Sequence, residues 1–124
     1  MQKKICVDFD GVIHSYDSGW QGACQIPDQP VDGAFEWLGR LVWQGFEVSI
    51  YSARSKEEGA IEAMQRWFTD HDISVWTLER LRFPTQKPAA HLTVDDRAFC
   101  FQGDFPSVGW VERFQPWTKL RRNE

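Results

Sequence analysis

The sequence predicts an α/β domain in which helices flank a mainly parallel sheet of five strands. Short apolar runs rich in β-branched residues alternate with longer segments that show helical spacing, and this alternation is typical of parallel sheets. The first run, residues 5–7, is apolar throughout, as in a strand that is buried on both faces. The 124 residues suffice for one core, so we expect a single domain over 1–124.

The first half of the chain contains two predicted strand–helix units. The first strand leads through a polar, glycine-containing loop over 15–29 into a helix that we expect to end at Gly45. Apolar residues recur in this helix at i, i+3, i+4, i+7 and i+8, namely Ala34, Trp37, Leu38, Leu41 and Val42. The second strand, 47–51, precedes a helix whose start we place at Ser55, because Ser55 and Glu58 have capping-box spacing.

The second half is predicted to add three short strands. Residues 73–77 and 92–94 are short apolar runs, separated by an irregular segment that contains two prolines. From residue 99 onward the chain is rich in glycine and aromatic residues, and we expect a fifth strand around 108–111.

Composition excludes several classes of function. The net charge of -4 and the pI near 5.3 oppose strong, non-specific binding to nucleic acid or to an anionic membrane. No apolar run approaches the roughly 20 residues of a membrane span, and the N-terminal run is too short for a signal peptide. The three cysteines form no CxxC pair, so neither a zinc site nor a disulfide framework is expected. We therefore predict a cytoplasmic protein with Cys6 and Cys100 in its core.

Polar side chains stand at the ends of three predicted strands. Asp8 and Asp10 end the first strand, Ser52 follows the second, and Asp95 and Asp96 follow the fourth. Because the carboxyl ends of parallel strands meet at one edge of a sheet, we expect these groups to share a crevice. A divalent cation would offset the repulsion between the carboxylates, whose oxygen atoms suit a hard ion such as Mg2+.

Donors for a phosphate group accompany these carboxylates. Lys87 precedes the fourth strand, and the hydroxyl of Ser52 and the backbone N–H groups after it add to the lysine. Gly11 allows the chain to turn and a ligand to approach the backbone. The combination predicts a metal-assisted phosphoryl-transfer site.

Four motifs in this set resemble those of the haloacid dehalogenase (HAD) superfamily of phosphatases. The stretch Asp8-Phe9-Asp10-Gly11-Val12 resembles the first motif of that superfamily, Asp-x-Asp-Gly-(Thr/Val). Ser52, Lys87 and the pair Asp95-Asp96 resemble the second, third and fourth motifs, in the order of the family. The resemblance spans residues 8–96 and implies a Rossmann-like, HAD-type sheet.

The resemblance also implies a role for each residue. Asp8 would be the nucleophile that forms an aspartyl-phosphate, and Asp10 would be the general acid and then the general base. Lys87 would neutralise the nucleophile and the phosphate. The implied phosphate-binding residues are Ser52, Ala53 and Gly11. The implied ligands of Mg2+ are Asp8, Asp95, Asp96 and the backbone carbonyl of Asp10.

The spacing leaves no room for the cap domain that many such enzymes carry, so the chain resembles small, capless members from phages and bacteria. The loop over 15–29 is expected to overhang the crevice as a flap. Tyr16 and Trp20 could stack on a base or sugar, with packing within the flap as the alternative, and Arg54 is a candidate for substrate contact. We predict a nucleotide or nucleic-acid-end phosphate as the substrate and leave homo-oligomerisation open.

Two other functions fit part of the pattern. A receiver-type signalling domain also carries aspartates, a hydroxyl and a lysine at parallel strand ends, but there the adjacent acidic pair follows the first strand and the lysine comes last. A catalytically silent module would bind phosphate or metal without turnover, and intact Asp8 and Asp10 oppose it. Taken singly, Ser52 is also an ordinary strand-end serine and Lys87 a solvated loop lysine. His14 is expected to be structural or solvated.

Overall fold

The computed structural model describes residues 2–122, and its backbone alternates strands with helices. A single 3-10 turn, Ala53–Lys56, separates the second strand from the second helix. The strands are β1 (Lys4–Asp8), β2 (Glu47–Tyr51), β3 (Leu81–Arg82) and β4 (Leu92–Val94). The helices are α1 (Ala34–Trp43), α2 (Ala60–Asp70), α3 (Val75–Arg80), α4 (Val108–Arg113) and α5 (Trp117–Arg122).

The four strands form one parallel sheet in the order β3-β2-β1-β4. The predicted α/β class and parallel sheet are therefore confirmed, whereas the expected fifth strand is not among the described residues. Strand β1 lies between β2 and β4, and its register pairs Val7 with Ile50 on one side and with Val94 on the other. The carboxyl ends of β1, β2 and β4 consequently meet at one edge of the sheet.

The hydrophobic core lies on one face of this sheet. Ile5 and Val7 of β1 are buried beside Val48 and Ile50 of β2, because paired residues of parallel strands point to the same side. Helices α1 and α2 complete the core with Leu38, Met64, Trp67 and Phe68. The opposite face carries the small residues Cys6, Ser49 and Thr93 in register.

Two predicted strands are helical in the structure. Residues 73–77 were expected to extend, but α3 begins at Val75 because Ser74 caps it, its hydroxyl accepting a hydrogen bond from the Thr77 amide. Likewise α4 occupies 108–111, where the hydroxyl of Ser107 accepts from the Trp110 amide. In both places a serine N-cap outweighs the β propensity of a short apolar run.

Three smaller expectations also need correction. The capping box predicted at Ser55 and Glu58 instead joins Ser52 and Ser55 across the 3-10 turn, and α2 begins only after Gly59. Cys6 is buried as predicted, but Cys100 is exposed and lies outside the core.

The loop over 15–29 contains neither helix nor strand, and its ends are joined by an isolated bridge between His14 and Pro30. We call this segment the flap. Among the helices that the structure describes, none is both long and apolar enough to cross a membrane.

Candidate active site

The strand ends converge on one crevice, as the sequence predicted. Asp8, Ser52 and Asp95 line a cavity of about 230 Å³ together with Ala53 and Lys87. Lys87 is exposed on the loop that precedes β4, and it lines the crevice from this loop. A carboxylate, an ammonium group and a hydroxyl therefore share one opening.

Asp8, Asp95 and Asp96 form an acidic cluster in which one ligand atom from each lies within 4.8 Å of the others. Burial raises the pKa of Asp8 to about 9, and a hydrogen bond with Asp96 and the charges of Asp95 and Asp96 act in the same direction. The Phe9 amide, which donates to Asp8 Oδ1 over 2.9 Å, opposes the rise. Without a compensating cation, Asp8 therefore keeps its proton to a higher pH than an ordinary aspartate, because its pKa is raised.

Gly11 permits the acidic cluster to approach the backbone. Its φ of 86° lies in the left-handed region, and a Cβ at this position would overlap with the carboxylate of Asp96. Its amide donates to the His14 carbonyl over 2.8 Å, and its carbonyl accepts from Trp117 Nε1 over 2.6 Å. Both backbone polar groups of Gly11 are therefore hydrogen-bonded within the protein. Gly11 contributes to the site by allowing Asp96 to approach the backbone closely.

The carboxylate of Asp10 lies outside the acidic cluster and is hydrogen-bonded at both oxygen atoms. Oδ1 accepts from Arg54 Nη2 over 3.0 Å and contacts His14 Nδ1 at 2.8 Å. Oδ2 accepts from Arg54 Nε over 2.9 Å and from Ser52 Oγ over 3.3 Å. The two aspartates of the first motif therefore have opposite surroundings, carboxylates around Asp8 and a guanidinium against Asp10.

Arg54, the candidate for substrate contact, is entirely buried, and its guanidinium makes contacts inside the protein. Besides its two hydrogen bonds to Asp10, its Nη1 donates to the carbonyls of Gly22, Ala23 and Gln25 at 3.3, 2.9 and 3.1 Å. One guanidinium consequently joins the flap to Asp10.

His14 provides a second connection between the flap and Asp10. The Asp28 amide donates to His14 Nε2 over 3.1 Å, which assigns the ring proton to Nδ1, the atom that faces Asp10. His14 is fully buried and its ring stacks on Phe9, as expected of a structural residue. The contact between His14 and Asp10 was not predicted from the sequence, although the two residues are only four positions apart and could have indicated it.

Comparison with protein-family models, curated proteins and solved structures finds no match to this chain.

The aromatic side chains of the flap lie beside the buried guanidinium. Trp20 covers Arg54, with 4.9 Å between the guanidinium carbon and the ring centroid, and 54% of its surface is exposed. Burial raises the pKa of Tyr16, as does the charge of Asp10, while Arg54 and Arg97 oppose the rise. The flap thus stands next to Asp10, and Trp20 retains exposed surface for a ligand.

Two residues of this region were not identified from the sequence. Arg97 lines the crevice, and its amide donates to Asp95 Oδ1 over 2.8 Å. Trp117 brings α5 to Gly11. The adjacency of Arg97 to the acidic pair was a signal for the first, whereas nothing local to Trp117 indicates a contact 106 residues away.

Proposed function

We propose that this protein is a Mg2+-dependent phosphate-monoester hydrolase that acts through an aspartyl-phosphate on Asp8. The observation that carries the proposal is the convergence of Asp8, Ser52, Lys87 and Asp95 on one crevice. A nucleophile, donors for phosphate oxygens and candidate metal ligands are the parts that a covalent phosphatase requires. The order of the four motifs supports the assignment to the HAD superfamily, with a HAD-type, capless fold.

The donor set fits a hard divalent cation. Asp8, Asp95 and Asp96 offer carboxylate oxygens within one small region, and the repulsion among them would be relieved by such an ion. When bound, Mg2+ would neutralise the carboxylates and stabilise charge on the phosphoryl oxygens. The raised pKa of Asp8 supports this dependence, because a nucleophilic carboxylate must be deprotonated.

Two displacements at phosphorus complete the proposed reaction. As the substrate binds, Asp10 takes up the proton of the phosphate-monoester monoanion. An oxygen of Asp8 attacks the phosphorus, the bond to the leaving oxygen breaks, and that oxygen takes the proton from Asp10. Water then attacks the aspartyl-phosphate, Asp10 accepts a proton from it, and the bond to Asp8 breaks to release inorganic phosphate. Lys87 and Ser52 donate to the phosphoryl oxygens throughout.

For Asp10 to transfer a proton, one of its oxygens must give up a hydrogen bond that it accepts within the protein. Of the bonds that Asp10 makes, the one from Ser52 Oγ is the longest, at 3.3 Å, and Ser52 also lines the crevice. We assign the transfer to Oδ2 for this reason. Ser52 would release Asp10 when its hydroxyl turns to the phosphate.

We further propose a nucleotide or nucleic-acid-end phosphate as the substrate, and a reducing compartment such as the cytoplasm as the location. The exposed ring of Trp20 supports the substrate class, and the three cysteines, which are all free, support the location. The second candidate function is a silent or receiver-like module that binds phosphate or metal. It is favoured by one observation, the engagement of both Asp10 oxygens within the protein.

Hydrolysis of an aryl phosphate at increasing Mg2+ tests the proposal. We expect turnover that requires Mg2+ and is abolished reversibly by chelation, and that Asp8→Asn eliminates. Asp104→Asn, an exposed carboxylate outside the crevice, is the matched control and should keep full activity. Mass spectrometry of rapidly quenched Asp10→Asn should find a phosphoryl group on the Asp8 peptide. Full activity in EDTA would overturn the metal assignment, and no turnover under any condition would favour the silent module.

A further inference from the structure

An aromatic groove lies in the C-terminal segment, beyond the motifs of the crevice. Its volume is about 240 Å³, and its walls include Phe99, Trp110 and Phe114. Trp110 meets Phe99 edge to face at 5.3 Å between ring centroids and Phe114 at 5.6 Å. Phe99 and Trp110 remain 45% and 42% exposed, so surface of both rings is available to a ligand.

Arg97 connects this groove with the crevice, because it is among the residues that line both. Its backbone is held at the acidic cluster by the hydrogen bond to Asp95. Its charge also acts on Tyr16 of the flap, where it lowers the pKa. A cation at this junction suits a ligand whose phosphate lies in the crevice and whose remainder extends into the groove.

The segment that carries the groove is hydrogen-bonded to Gly11, in the turn that follows β1. Trp117, at the start of α5, donates its indole N–H to the Gly11 carbonyl, and α4 with Trp110 immediately precedes α5. Gly11 in turn lies against Asp96 of the acidic cluster. The helix that follows the groove is therefore hydrogen-bonded next to the acidic cluster.

We propose that the groove binds the base of a nucleoside monophosphate whose phosphate is at Asp8. The proposal rests on the hydrolase function above and assigns the site that recognises its leaving group. Aromatic rings with exposed surface stack on bases with about 1–3 kcal/mol each, and Arg97 supplies positive charge where phosphate and base are joined. The groove is an aromatic surface for the base in addition to the exposed ring of Trp20, which covers Arg54.

Comparison of AMP with ribose 5-phosphate isolates the contribution of the base, since both carry the same phosphate ester on ribose. We expect kcat/KM to be about tenfold higher for AMP, equivalent to ~1.4 kcal/mol. Trp110→Ala should remove this preference and leave ribose 5-phosphate unaffected. The matched control is Phe105→Ala, because Phe105 is 85% exposed and does not line the groove. No preference for AMP, or equal losses on both substrates, would overturn the proposal.

Binding distinguishes a failure of the groove from a failure of the hydrolase. Calorimetry with Asp8→Asn and Mg2+ measures affinity for AMP and ribose 5-phosphate without turnover. AMP should bind about tenfold more tightly, and adding Trp110→Ala should abolish the difference. This result would support the groove even if the wild-type protein hydrolysed neither compound. Equal affinities, or dimerisation that Trp110→Ala abolishes, would instead overturn it, the latter because a second copy would then cover the groove.

Discussion

Replacement of Arg54 by methionine tests the central electrostatic contact of the structure. Methionine keeps an unbranched side chain but removes two hydrogen bonds to Asp10 and three to flap carbonyls. Arg54 is fully buried and the Asp10 side chain is only 14% exposed, so the carboxylate would be left desolvated, without a cationic partner and with only His14 and Ser52 beside it. Breaking such a buried pair costs about 3–5 kcal/mol in the free energy of unfolding.

Thermal and urea unfolding at pH 7 measure this cost. For a domain of this size, the expected fall in Tm is about 10–20 °C. Arg66→Met, on the exposed side of α2, is the control and should change the unfolding free energy by less than about 0.5 kcal/mol.

A double-mutant cycle separates the ion pair from the loss of packing. In an Asp10→Asn background the charge is absent, so Arg54→Met should cost clearly less than it does in the wild type. A cost below about 1 kcal/mol in the wild-type background, or identical costs in both backgrounds, would refute the assignment of Arg54 as the partner of Asp10. Loss of activity through KM alone would also refute it, since that would indicate substrate contact.

The remaining predictions concern the crevice itself. The native state binds the Asp8 proton more tightly than the unfolded state does, so metal-free protein should lose stability as pH rises from about 4 through about 9, and Asp8→Asn should flatten this unfolding profile. Gly11→Ala should reduce both Tm and calorimetric Mg2+ affinity, because its Cβ would displace Asp96. Lys87→Ala should lower kcat by about 10²–10³-fold, whereas the exposed Lys56→Ala should not, and near-normal kcat in both would make Lys87 a loop lysine.

Periodicity and strand-end chemistry predicted much of the site. The apolar stripe of α1 and the uniform runs of β1 and β2 could be read locally, because burial of these segments is determined by their own spacing. The convergence of Asp8, Ser52 and Asp95 then follows from the parallel arrangement of the strands alone, because their carboxyl ends lie at the same edge of the sheet. The acidic cluster was therefore predictable without any knowledge of packing.

The surroundings of Asp10 were not predictable in this way. Arg54 stands before a run of polar residues, where an exposed arginine is the usual expectation, and its burial depends on carbonyls about thirty residues earlier in the flap. The two strands predicted at 73–77 and 108–111 were wrong for a different reason. In each segment a single serine caps a helix, and this cap outweighs the β propensity of a short apolar run. Long-range partners and terminal caps thus account for the main differences.

Asp8 at the end of β1 and Asp10 in the turn that follows have contrasting surroundings, which fit two different roles in the proposed reaction. Asp8 is surrounded by carboxylates, so in the proposed reaction its availability as a nucleophile would depend on a cation that offsets their charge. Asp10 has its positive partner within the protein, and that partner also holds three flap carbonyls. Titratable groups placed in opposite environments are typical of sites that use one group as nucleophile and another in proton transfer.

Removal of Mg2+ should therefore inactivate Asp8 while leaving Asp10 and the flap in position. Chelated protein and Arg54→Met should both lose activity, but for different structural reasons. The first should retain an ordered flap in hydrogen exchange, and the second should lose protection over 22–25.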